Sequence, residues 1–512
     1  MEERKSQTDQ SIHGKITRRK VLGAAAGGVA GGVLATLPGG ARSVGATAGR
    51  TMRQAQASQL AWKGTITMFA QAYTPNSERE NVVQLKAFQD AADAYQQQHP
   101  DIKIEFVDEE FPEYPQTVRV KAAGGELWDV YWAQWGELNG TFPRGIAVDL
   151  TPYFQQPNPY IEGNQAWQDA MNPTVVTETV APNGAHYNIN GDYVGTAFFY
   201  NKELFAQAGI TAAPTSWPEI LDASEKLKAA GIPSTSGLPD YSWFQRHFLT
   251  DFYSNDYPSI AGCDETPAIS ALDEAAAIQQ RILSTEDPRF MAWWPIFKQA
   301  TDYWMQEYLN QALETSSMKM LQDFVAGKAA MFYSGSWTPN DLKVRNAPFE
   351  WDAFSFPVLT TDVTEYTTGA DTSGSVGGPN AAYQYAMSTP QANKSMEDEA
   401  KAEAVLDWLR FIGTPGVIEQ VCNELGAFAP TWPGTTPGPG LETFAEQANT
   451  ELKAVWVGNS SPKLGPNLQR IFGQFLAGDI DLDQATDQVQ RELDTAAEDY
   501  ARENDADLDT CA

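Results

Sequence analysis

Residues 198–219, FFYNKELFAQAGITAAPTSWPE, predict the strand-and-helix pattern that decides the fold class of this chain. The apolar run 194–200 is typical of a buried strand, and a short amphipathic helix follows it. Gly209 stands just beyond that helix, where a left-handed residue is commonly required. Thr215-Ser216 offer a hydroxyl cap to a second helix, with Pro218 in its first turn. The stretch therefore predicts one strand–helix unit of an α/β protein.

The sequence before this stretch shows the same alternation of strands and helices. Residues 65–70 (TITMFA), residues 101–107 (DIKIEFV) and the run WDVYWAQW from Trp128 have strand composition. Residues 82–98 and 114–123 have the spacing of amphipathic helices. Strands that alternate with helices in this order predict a mainly parallel sheet covered by helices.

Length and charge limit the class of protein further. At 512 residues the chain is too long for one compact core, so two lobes or domains are expected. It carries 66 acidic and 35 basic residues, and the resulting net charge of −31 argues against nucleic acid and anionic membranes as partners. The 15 tryptophans and 19 tyrosines suit a site that stacks flat apolar faces, although such residues also fill cores.

The first 48 residues predict an export signal that is cleaved from the mature protein. Arg18-Arg19 precede an apolar, Gly/Ala-rich run and resemble the twin-arginine signal of the Tat pathway, which exports folded proteins. Residues 21–37 form a short, glycine-interrupted run, which is a weak membrane span. We expect cleavage after Ala48, with cleavage after Ala57 as the second choice, and a linker over 49–61. An uncleaved anchor is the further alternative. The mature chain is then expected at the periplasmic or extracellular face of the cytoplasmic membrane.

The cysteines and histidines predict neither a metal site nor a cofactor. Cys263, Cys422 and Cys511 form no CxxC pair, and the four histidines lie far apart in the sequence. One disulfide could form in an oxidising compartment and would leave one cysteine over. The sequence does not choose the pair.

Four long segments follow one another in a recognisable order. They are FQDAADAYQQQHPDIKIEFV from Phe88, NINGDYVGTAFFYNKELFAQAG from Asn188, FVAGKAAMFYSGSWTPNDL from Phe324, and AEAVLDWLRFIGTPGVIEQVCNELGAFAPTWP from Ala402. They resemble, in that order, segments of the family 1, maltose-binding-like solute-binding proteins of ABC importers. The similarity extends over roughly 62–495, and NING departs from it because the family usually has a proline before the site residue.

The resemblance implies an α/β structure with two lobes, the type II fold of periplasmic binding proteins. Each lobe would be a mainly parallel sheet flanked by helices, and crossover strands would form a hinge. The N-terminal lobe is expected over 62–195 plus 330–378, and the C-terminal lobe over 196–329 plus 379–512, which ends in an acidic tail. The ligand would bind in the cleft between the lobes, and an ABC permease would recognise the closed shape. A monomer is expected.

A sugar site needs aromatic platforms for the flat faces of the rings and polar groups for the hydroxyls. The resemblance implies ligand contacts after the Asp129-Val130 strand, near Asp192, and at Trp337, a position that the family uses for a stacking aromatic. Packing in a core or a turn is the alternative at each position. The predicted ligand-binding residues are Gln71, Tyr73, Trp132, Gln134, Trp135, Asp192, Tyr193, Tyr241, Trp243, Trp337, Gly377, Gly378 and Trp432.

The charge of these positions favours one class of ligand. None of the predicted ligand-binding residues is a lysine or an arginine, so a neutral mono- or oligosaccharide is expected. A polyol or a polyamine is the alternative, because carboxylates and aromatic rings can also hold a cation. A glycan hydrolase is the competing class, but no carboxylate pair stands in a recognisable motif. We therefore expect a non-catalytic sugar receptor that delivers its ligand to a permease.

Overall fold

The computed structural model describes residues 60–77, 84–109, 114–134, 136–138, 142–181, 183–237, 240–263, 268–305, 317–379, 381–450 and 453–510. The predicted export signal lies outside these residues, and so does nearly all of the predicted linker. Two further residues of interest, Trp135 and Cys511, also lie outside them.

The described strands are β1 (Gly64–Phe69), β2 (Ile102–Val107), β3 (Val130–Trp132), β4 (Asn188–Asn190), β5 (Asp192–Asn201), β6 (Met331–Gly335), β7 (Trp351–Phe354), β8 (Gly377–Gly378), β9 (Gln384–Met387) and β10 (Ala429–Pro430). The described α-helices are α1 (Ala87–Gln98), α2 (Tyr114–Gly124), α3 (Thr151–Phe154), α4 (Pro173–Glu178), α5 (Lys202–Gln207), α6 (Trp217–Ala229), α7 (Tyr241–Tyr253), α8 (Tyr257–Ile260), α9 (Ala271–Gln279), α10 (Pro288–Thr301), α11 (Ser317–Val325), α12 (Thr338–Val344), α13 (Glu399–Ile412), α14 (Pro415–Leu425), α15 (Glu442–Gln447), α16 (Leu464–Ala477) and α17 (Leu482–Asn504).

The first sheet has the strand order β2-β1-β3-β9-β4. β1 runs parallel to β2 and to β3, and Met68 pairs with Val130. β9 then runs antiparallel to both β3 and β4. α1 buries Phe88 and Tyr95 in the core beside this sheet, as their helical spacing predicts. The carboxyl ends of β1 and β3 consequently lie side by side at one edge of the sheet.

The second sheet is built around β5. The strands β6, β7, β8 and β10 all pair with β5 in the antiparallel direction. The α/β class is confirmed, but the expectation of a mainly parallel sheet in each lobe is wrong for the second sheet, and the first sheet is mixed. Apolar residues in the sequence indicate where strands lie along the chain. They do not indicate whether neighbouring strands run parallel or antiparallel, because both arrangements use the same residue types.

The stretch that predicted the fold class forms the expected strand and helices. Asn201 ends β5 and caps α5, because its Oδ1 accepts hydrogen bonds from the backbone N–H groups of Glu203 (2.9 Å) and Leu204 (3.1 Å). Gly209 follows α5 with a φ of +74°, the left-handed conformation that its position predicts. Ser216 then caps α6 at its N-terminus. This part of the prediction is confirmed.

The predicted lobe bounds disagree with the way the two cores use the chain. Residues 331–378 contain β6, β7 and β8, which pair with β5 in the second sheet rather than in the N-terminal lobe. Residues 382–432 contribute β9, α13 and α14 to the core of the first sheet rather than to the C-terminal lobe. The order of motifs does not specify which sheet edge accepts a returning strand. We propose 60–191 plus 381–432 for the first lobe, from which β10 reaches across to pair with β5 of the second sheet, and 192–379 plus 440–510 for the second lobe.

The second core is rich in tryptophan. Trp217, Trp293 and Trp294 are each fully buried, and Trp293 and Trp294 pack against Phe472 of α16. The predicted acidic tail begins within α17, and Leu493 of that helix is buried in the same core.

Two of the three cysteines lie in the described chain. Cys422 is a free, buried thiol in the first core, whereas Cys263 is disulfide-bonded. Cys422 is therefore the cysteine that stays unpaired. None of the described helices combines the length and hydrophobicity that a membrane span requires.

Candidate functional site

Asp192 joins the first strand of the second sheet to the first lobe. Its carboxylate is fully buried and accepts hydrogen bonds from the Tyr73 hydroxyl (2.6 Å), the Tyr383 N–H (2.9 Å) and the Ala382 N–H (3.2 Å). Burial raises the pKa of Asp192 to about 7, although the three hydrogen bonds favour the charged form. This geometry ties β5 to the first lobe and leaves no exposed oxygen for a ligand hydroxyl.

Other predicted ligand contacts near Asp192 also hold the crossing between the lobes together. Gly377 and Gly378 pair with Val194 and Gly195, and a Cβ at Gly377 would lie only 2.0 Å from the carbonyl oxygen of Val194. Their close backbone approach is thus to β5, and not to a ligand as predicted. Tyr193 is buried, and its hydroxyl donates a 3.4 Å hydrogen bond to the Gly374 carbonyl. We name Tyr73, Asp192, Tyr193, Gly377 and Gly378 the hinge cluster.

Three more predicted contacts are buried in the cores. The Trp132 indole N–H donates to the carbonyl of Ala381 (3.2 Å), and the Trp432 indole N–H donates to the carbonyl of Asn190 (2.6 Å). Tyr241 packs against Trp293, Trp294 and Phe472 in the second core. All three residues are buried in cores, so packing, the alternative at each of these positions, is favoured over a ligand contact. Sequence alone does not distinguish an aromatic ring that faces a core from one that faces a cleft.

Two predicted residues lie at one edge of the first sheet. Gln71 and Gln134 follow the carboxyl ends of the parallel neighbours β1 and β3, and both are partly exposed. Gln71 has a φ of +55°, and its side-chain oxygen accepts a hydrogen bond from the Ala72 N–H. Ends of parallel strands are the usual place for ligands in open α/β sheets. These amides therefore give the first lobe a polar edge.

The second lobe brings two predicted aromatic residues together in a cavity. The rings of Trp243 and Trp337 meet nearly edge to face, with centroids 6.0 Å apart and an interplanar angle of 65°. They border a cavity of about 240 Å³, which we name the indole pocket. Its lining residues are Asp240, Trp243, Met318, Leu321, Phe332, Ser334, Trp337 and Asp341.

Local structure explains how Trp337 is placed. Phe332 and Ser334 alternate with Met331 and Tyr333 along β6, so one set lines the indole pocket while the other packs in the second core. A Cβ at Gly335 would lie 2.1 Å from the Trp337 ring, and the missing side chain therefore lets the ring lie back over the strand end. Trp337 remains 36% exposed. An indole this accessible beside a cavity is available to a ligand.

Carboxylates supply the charge of the indole pocket. Asp240 caps α7, because its Oδ1 accepts hydrogen bonds from the N–H (2.7 Å) and the hydroxyl (2.7 Å) of Ser242. Asp341 is partly buried, and this burial raises its pKa while the nearby Arg345 opposes the rise. The described residues that line this pocket include no lysine or arginine. The pocket can accept hydrogen bonds from hydroxyls but offers an anion no cationic partner.

Polar atoms without a partner follow β6 directly. The Ser336 Oγ, the Thr338 Oγ1 and the Asn340 Oδ1 are buried and make no hydrogen bond within the described chain. Buried polar groups are almost always paired in folded proteins, so three such atoms beside the end of one strand are unusual. They lie within four residues of Trp337.

Sequence reasoning missed several residues of the indole pocket. Asp240, Ser334 and Asp341 were not predicted, although Asp240 stands three residues before Trp243 and Asp341 four residues after Trp337. The only available signal was this proximity. Within the described chain, no group of three or more His, Cys, Asp or Glu side chains is arranged to hold a metal ion.

Comparisons with known proteins agree with this architecture. The profile of the bacterial extracellular solute-binding protein family matches residues 80–416, which is more than half of the chain. The sn-glycerol-3-phosphate-binding periplasmic protein UgpB of Agrobacterium fabrum is 27% identical over 97 residues, and this match spans 18% of our chain and only 22% of that protein.

Solved structures show the same two-lobed fold. A family 1 extracellular solute-binding protein from Bifidobacterium longum subsp. infantis has a TM-score of 0.54 at 19% identity, with 85% of our chain and 99% of that chain covered. The GacH receptor of Streptomyces glaucescens, solved unliganded and with acarbose, has a TM-score of 0.56 at 17% identity, with coverage of 86% and 100%. The cyclic alpha-maltosyl-1,6-maltose binding protein of Arthrobacter globiformis has a TM-score of 0.55 at 17% identity, with coverage of 86% and 100%. The chain therefore belongs to the family of bacterial extracellular solute-binding proteins.

Proposed function

We propose that this protein is the extracytoplasmic receptor of an ABC importer and that it binds a neutral carbohydrate. The observation that carries the proposal is the indole pocket, in which Trp243 and the partly exposed Trp337 meet beside two carboxylates. Indole faces pack against the CH faces of sugar rings, and carboxylate and hydroxyl oxygens accept hydrogen bonds from sugar hydroxyls. The polar edge at Gln71 and Gln134 would supply amide groups from the first lobe.

The charges of the indole pocket support a neutral ligand. A phosphate is normally matched by arginine, lysine or the N-terminus of a helix. The described lining residues instead include Asp240 and Asp341 and no cation. Two of the structural relatives, the receptors from Streptomyces glaucescens and Arthrobacter globiformis, are described with carbohydrate-like ligands, which agrees with this choice.

A polyol phosphate is the competing ligand, because a short segment resembles the sn-glycerol-3-phosphate-binding protein. A polyamine is a further alternative, since indoles and carboxylates together can hold a cation. The two carboxylates of the indole pocket disfavour the phosphate and are compatible with the polyamine.

Calorimetric titration of the full-length chain separates these ligands. Maltose, raffinose, sn-glycerol 3-phosphate and spermidine would each be titrated, while the release of reducing sugar is measured in parallel. We expect saturable binding of a sugar, a higher melting temperature in its presence, and no hydrolysis. If only spermidine or only sn-glycerol 3-phosphate binds, the proposal of a carbohydrate ligand is wrong. Sustained hydrolysis of a sugar would show that the protein is an enzyme and not a receptor.

We propose the remaining functional features from family membership and the N-terminal sequence. The protein would be exported through the Tat pathway, act at the outer face of the cytoplasmic membrane as a monomer, and hand its ligand to the permease subunits. The hinge cluster lies where β5 leaves the first lobe, which is where closure of the lobes would require the chain to bend.

A further inference from the structure

A positively charged side chain lies beside the indole pocket. Arg246 follows Trp243 by three residues on α7, a spacing that puts two side chains on one face of a helix with their Cβ atoms about 5–6 Å apart. In the first two turns of α7 the partly exposed residues are Ser242, Trp243 and Arg246. Asp240, which lines the pocket, also acts on Arg246 through its charge. Arg246 therefore borders the pocket, although it is not part of its lining.

The guanidinium of Arg246 is stacked on an indole ring. Its Cζ lies 3.9 Å from the centroid of the Trp456 ring, which is a close cation–π contact. The backbone on both sides of Trp456 is bonded to α7, because its N–H groups donate to the Thr250 hydroxyl (2.9 Å) and to the Gln245 side-chain oxygen (3.1 Å). This stacking fixes the plane of the guanidinium and with it the directions of its N–H groups.

The fold does not bond this guanidinium to a carboxylate. The Nε of Arg246 is buried and makes no hydrogen bond within the described chain, and Asp240 acts on it through charge alone. Arg289 differs, because it stacks on Tyr253 at 4.3 Å and also donates from Nη2 to the Asp287 carboxylate at 2.7 Å. Burial lowers the pKa of Arg246 to about 10 and the nearby Asp240 opposes this shift, so Arg246 is charged at neutral pH.

Hydrogen-bond donors are scarce in the indole pocket itself. Its carboxylates, Asp240 and Asp341, accept hydrogen bonds, and its side-chain donors are two indole N–H groups and the Ser334 hydroxyl. Sugar hydroxyls both donate and accept, so a sugar needs donors as well as acceptors. Because the charge of Asp240 offsets that of Arg246, the guanidinium adds donors without requiring an anionic ligand. Arg246 therefore complements the pocket for a neutral ligand rich in hydroxyls.

We propose that Arg246 is a further ligand-binding residue and that its fork of N–H groups selects a sugar that presents two adjacent hydroxyls to it. This inference rests on the proposed function and names a contact that would set its specificity. A ring packed against Trp243 lies one helical turn from Arg246, so two of its hydroxyl oxygens can accept from two parallel N–H groups. Trp456 is a positioning residue, because it holds the plane of the guanidinium.

Calorimetric titration of the full-length chain with maltose and raffinose tests Arg246. Arg246→Lys keeps the charge but lacks the fork, so affinity for the sugar that binds should fall about tenfold, the loss expected for one charge-assisted hydrogen bond. Arg246→Met removes every donor and should lower affinity by about thirtyfold or more.

Arg410→Lys is the matched control. Arg410 also has a buried Nε without a partner in the described chain, but it belongs to α13 in the first lobe. This variant should leave sugar affinity unchanged, and melting temperatures would confirm that each variant folds. Unchanged affinity in both Arg246 variants would overturn the contact, even if their melting temperatures fall, because Arg246 would then be a packing residue.

A double variant tests the positioning role of Trp456. Trp456→Leu should lower affinity about fivefold in the wild-type chain and less than about twofold in Arg246→Met, since the ring acts through the guanidinium. Equal losses in the two backgrounds would overturn that role.

Two further results would count against the proposal in different ways. Binding of glucuronate about tenfold or more tighter than that of glucose would overturn the pair of hydroxyls, because the partner of Arg246 would then be a carboxylate. Failure of the wild-type chain to bind any sugar would reject the proposed function and this contact with it, before any variant is compared.

Discussion

The hinge cluster and the indole pocket contain similar residue types, but the side chains differ in exposure and in hydrogen bonding. At the hinge, the Asp192 carboxylate is saturated by Tyr73 and two backbone N–H groups. At the pocket, Trp337 is partly exposed and three polar atoms nearby have no partner in the described chain. Motif position alone would have ranked both regions as ligand sites. The saturated carboxylate is typical of a joint that holds the fold, whereas the partly exposed indole belongs to the surface that we propose for ligand binding.

Removal of the hinge carboxylate should have the largest effect. Asp192→Ala leaves the Tyr73 hydroxyl and two buried N–H groups without an acceptor, so the free energy of unfolding should fall by about 4 kcal/mol. Urea unfolding followed by fluorescence measures this loss. Asp352→Ala, at an exposed aspartate of β7, should change stability by less than about 0.5 kcal/mol. Equal losses in the two variants would contradict the structural role of the hinge carboxylate.

The pH dependence of stability should identify the same carboxyl group. Burial raises the pKa of Asp192 to about 7, so the folded state binds a proton that the unfolded chain has already released. Its contribution to stability is therefore complete below the unfolded pKa near 4 and is lost as the pH rises through about 7, by about 4 kcal/mol.

Unfolding of wild type and Asp192→Asn at several pH values between 4 and 8 measures the contribution of Asp192 to stability. The Asn variant lacks the titrating group. The difference in free energy of unfolding between the two proteins therefore reports Asp192 alone and not the other carboxylates. Wild type should lose its advantage over the variant as the pH rises. A difference that stays constant with pH would show that Asp192 is ionised throughout.

Truncation of the exposed indole should affect binding rather than folding. Trp337→Ala should weaken sugar binding by about 2 kcal/mol, or about 30-fold, because the ring loses apolar contact with the ligand. The melting temperature should change little, since the ring is 36% exposed. Trp62→Ala, at a partly buried tryptophan of the first lobe, should instead lower stability and leave affinity unchanged. A lower melting temperature with unchanged affinity would make Trp337 a packing residue.

Neutralisation of Asp341, which lines the indole pocket, should have the smallest effect. Asp341→Asn keeps the shape of the side chain and removes one charge-assisted hydrogen bond, so sugar affinity should fall by about 1 kcal/mol. Calorimetry against the sugar that binds best measures this change, with Asp352→Asn as the control. A much larger loss for spermidine than for sugar would favour the polyamine alternative over the carbohydrate.

Much of the local structure could be predicted from residues that act on their neighbours in sequence. Asn201 and Ser216 cap the helices that follow them, and Gly209 takes the left-handed conformation after α5. The site was predictable only in part. Trp243 and Trp337 come together in one pocket, whereas Trp132, Tyr241 and Trp432 are buried in cores. An aromatic side chain can pack equally well in a core or against a ligand. Which of the two it does depends on the residues around it in the folded structure.

The sequence by itself determined the alternation of strands and helices, the acidic charge and the membership of a solute-binding family. These properties depend on composition, on local capping and on motifs that are read along the chain. Only the tertiary structure decided that β6 joins β5, that β9 and α14 belong to the first core, and that Trp243 and Trp337 border one cavity. Such assignments depend on contacts between residues that are far apart in sequence. A local sequence pattern does not specify which distant strand or side chain will be the partner.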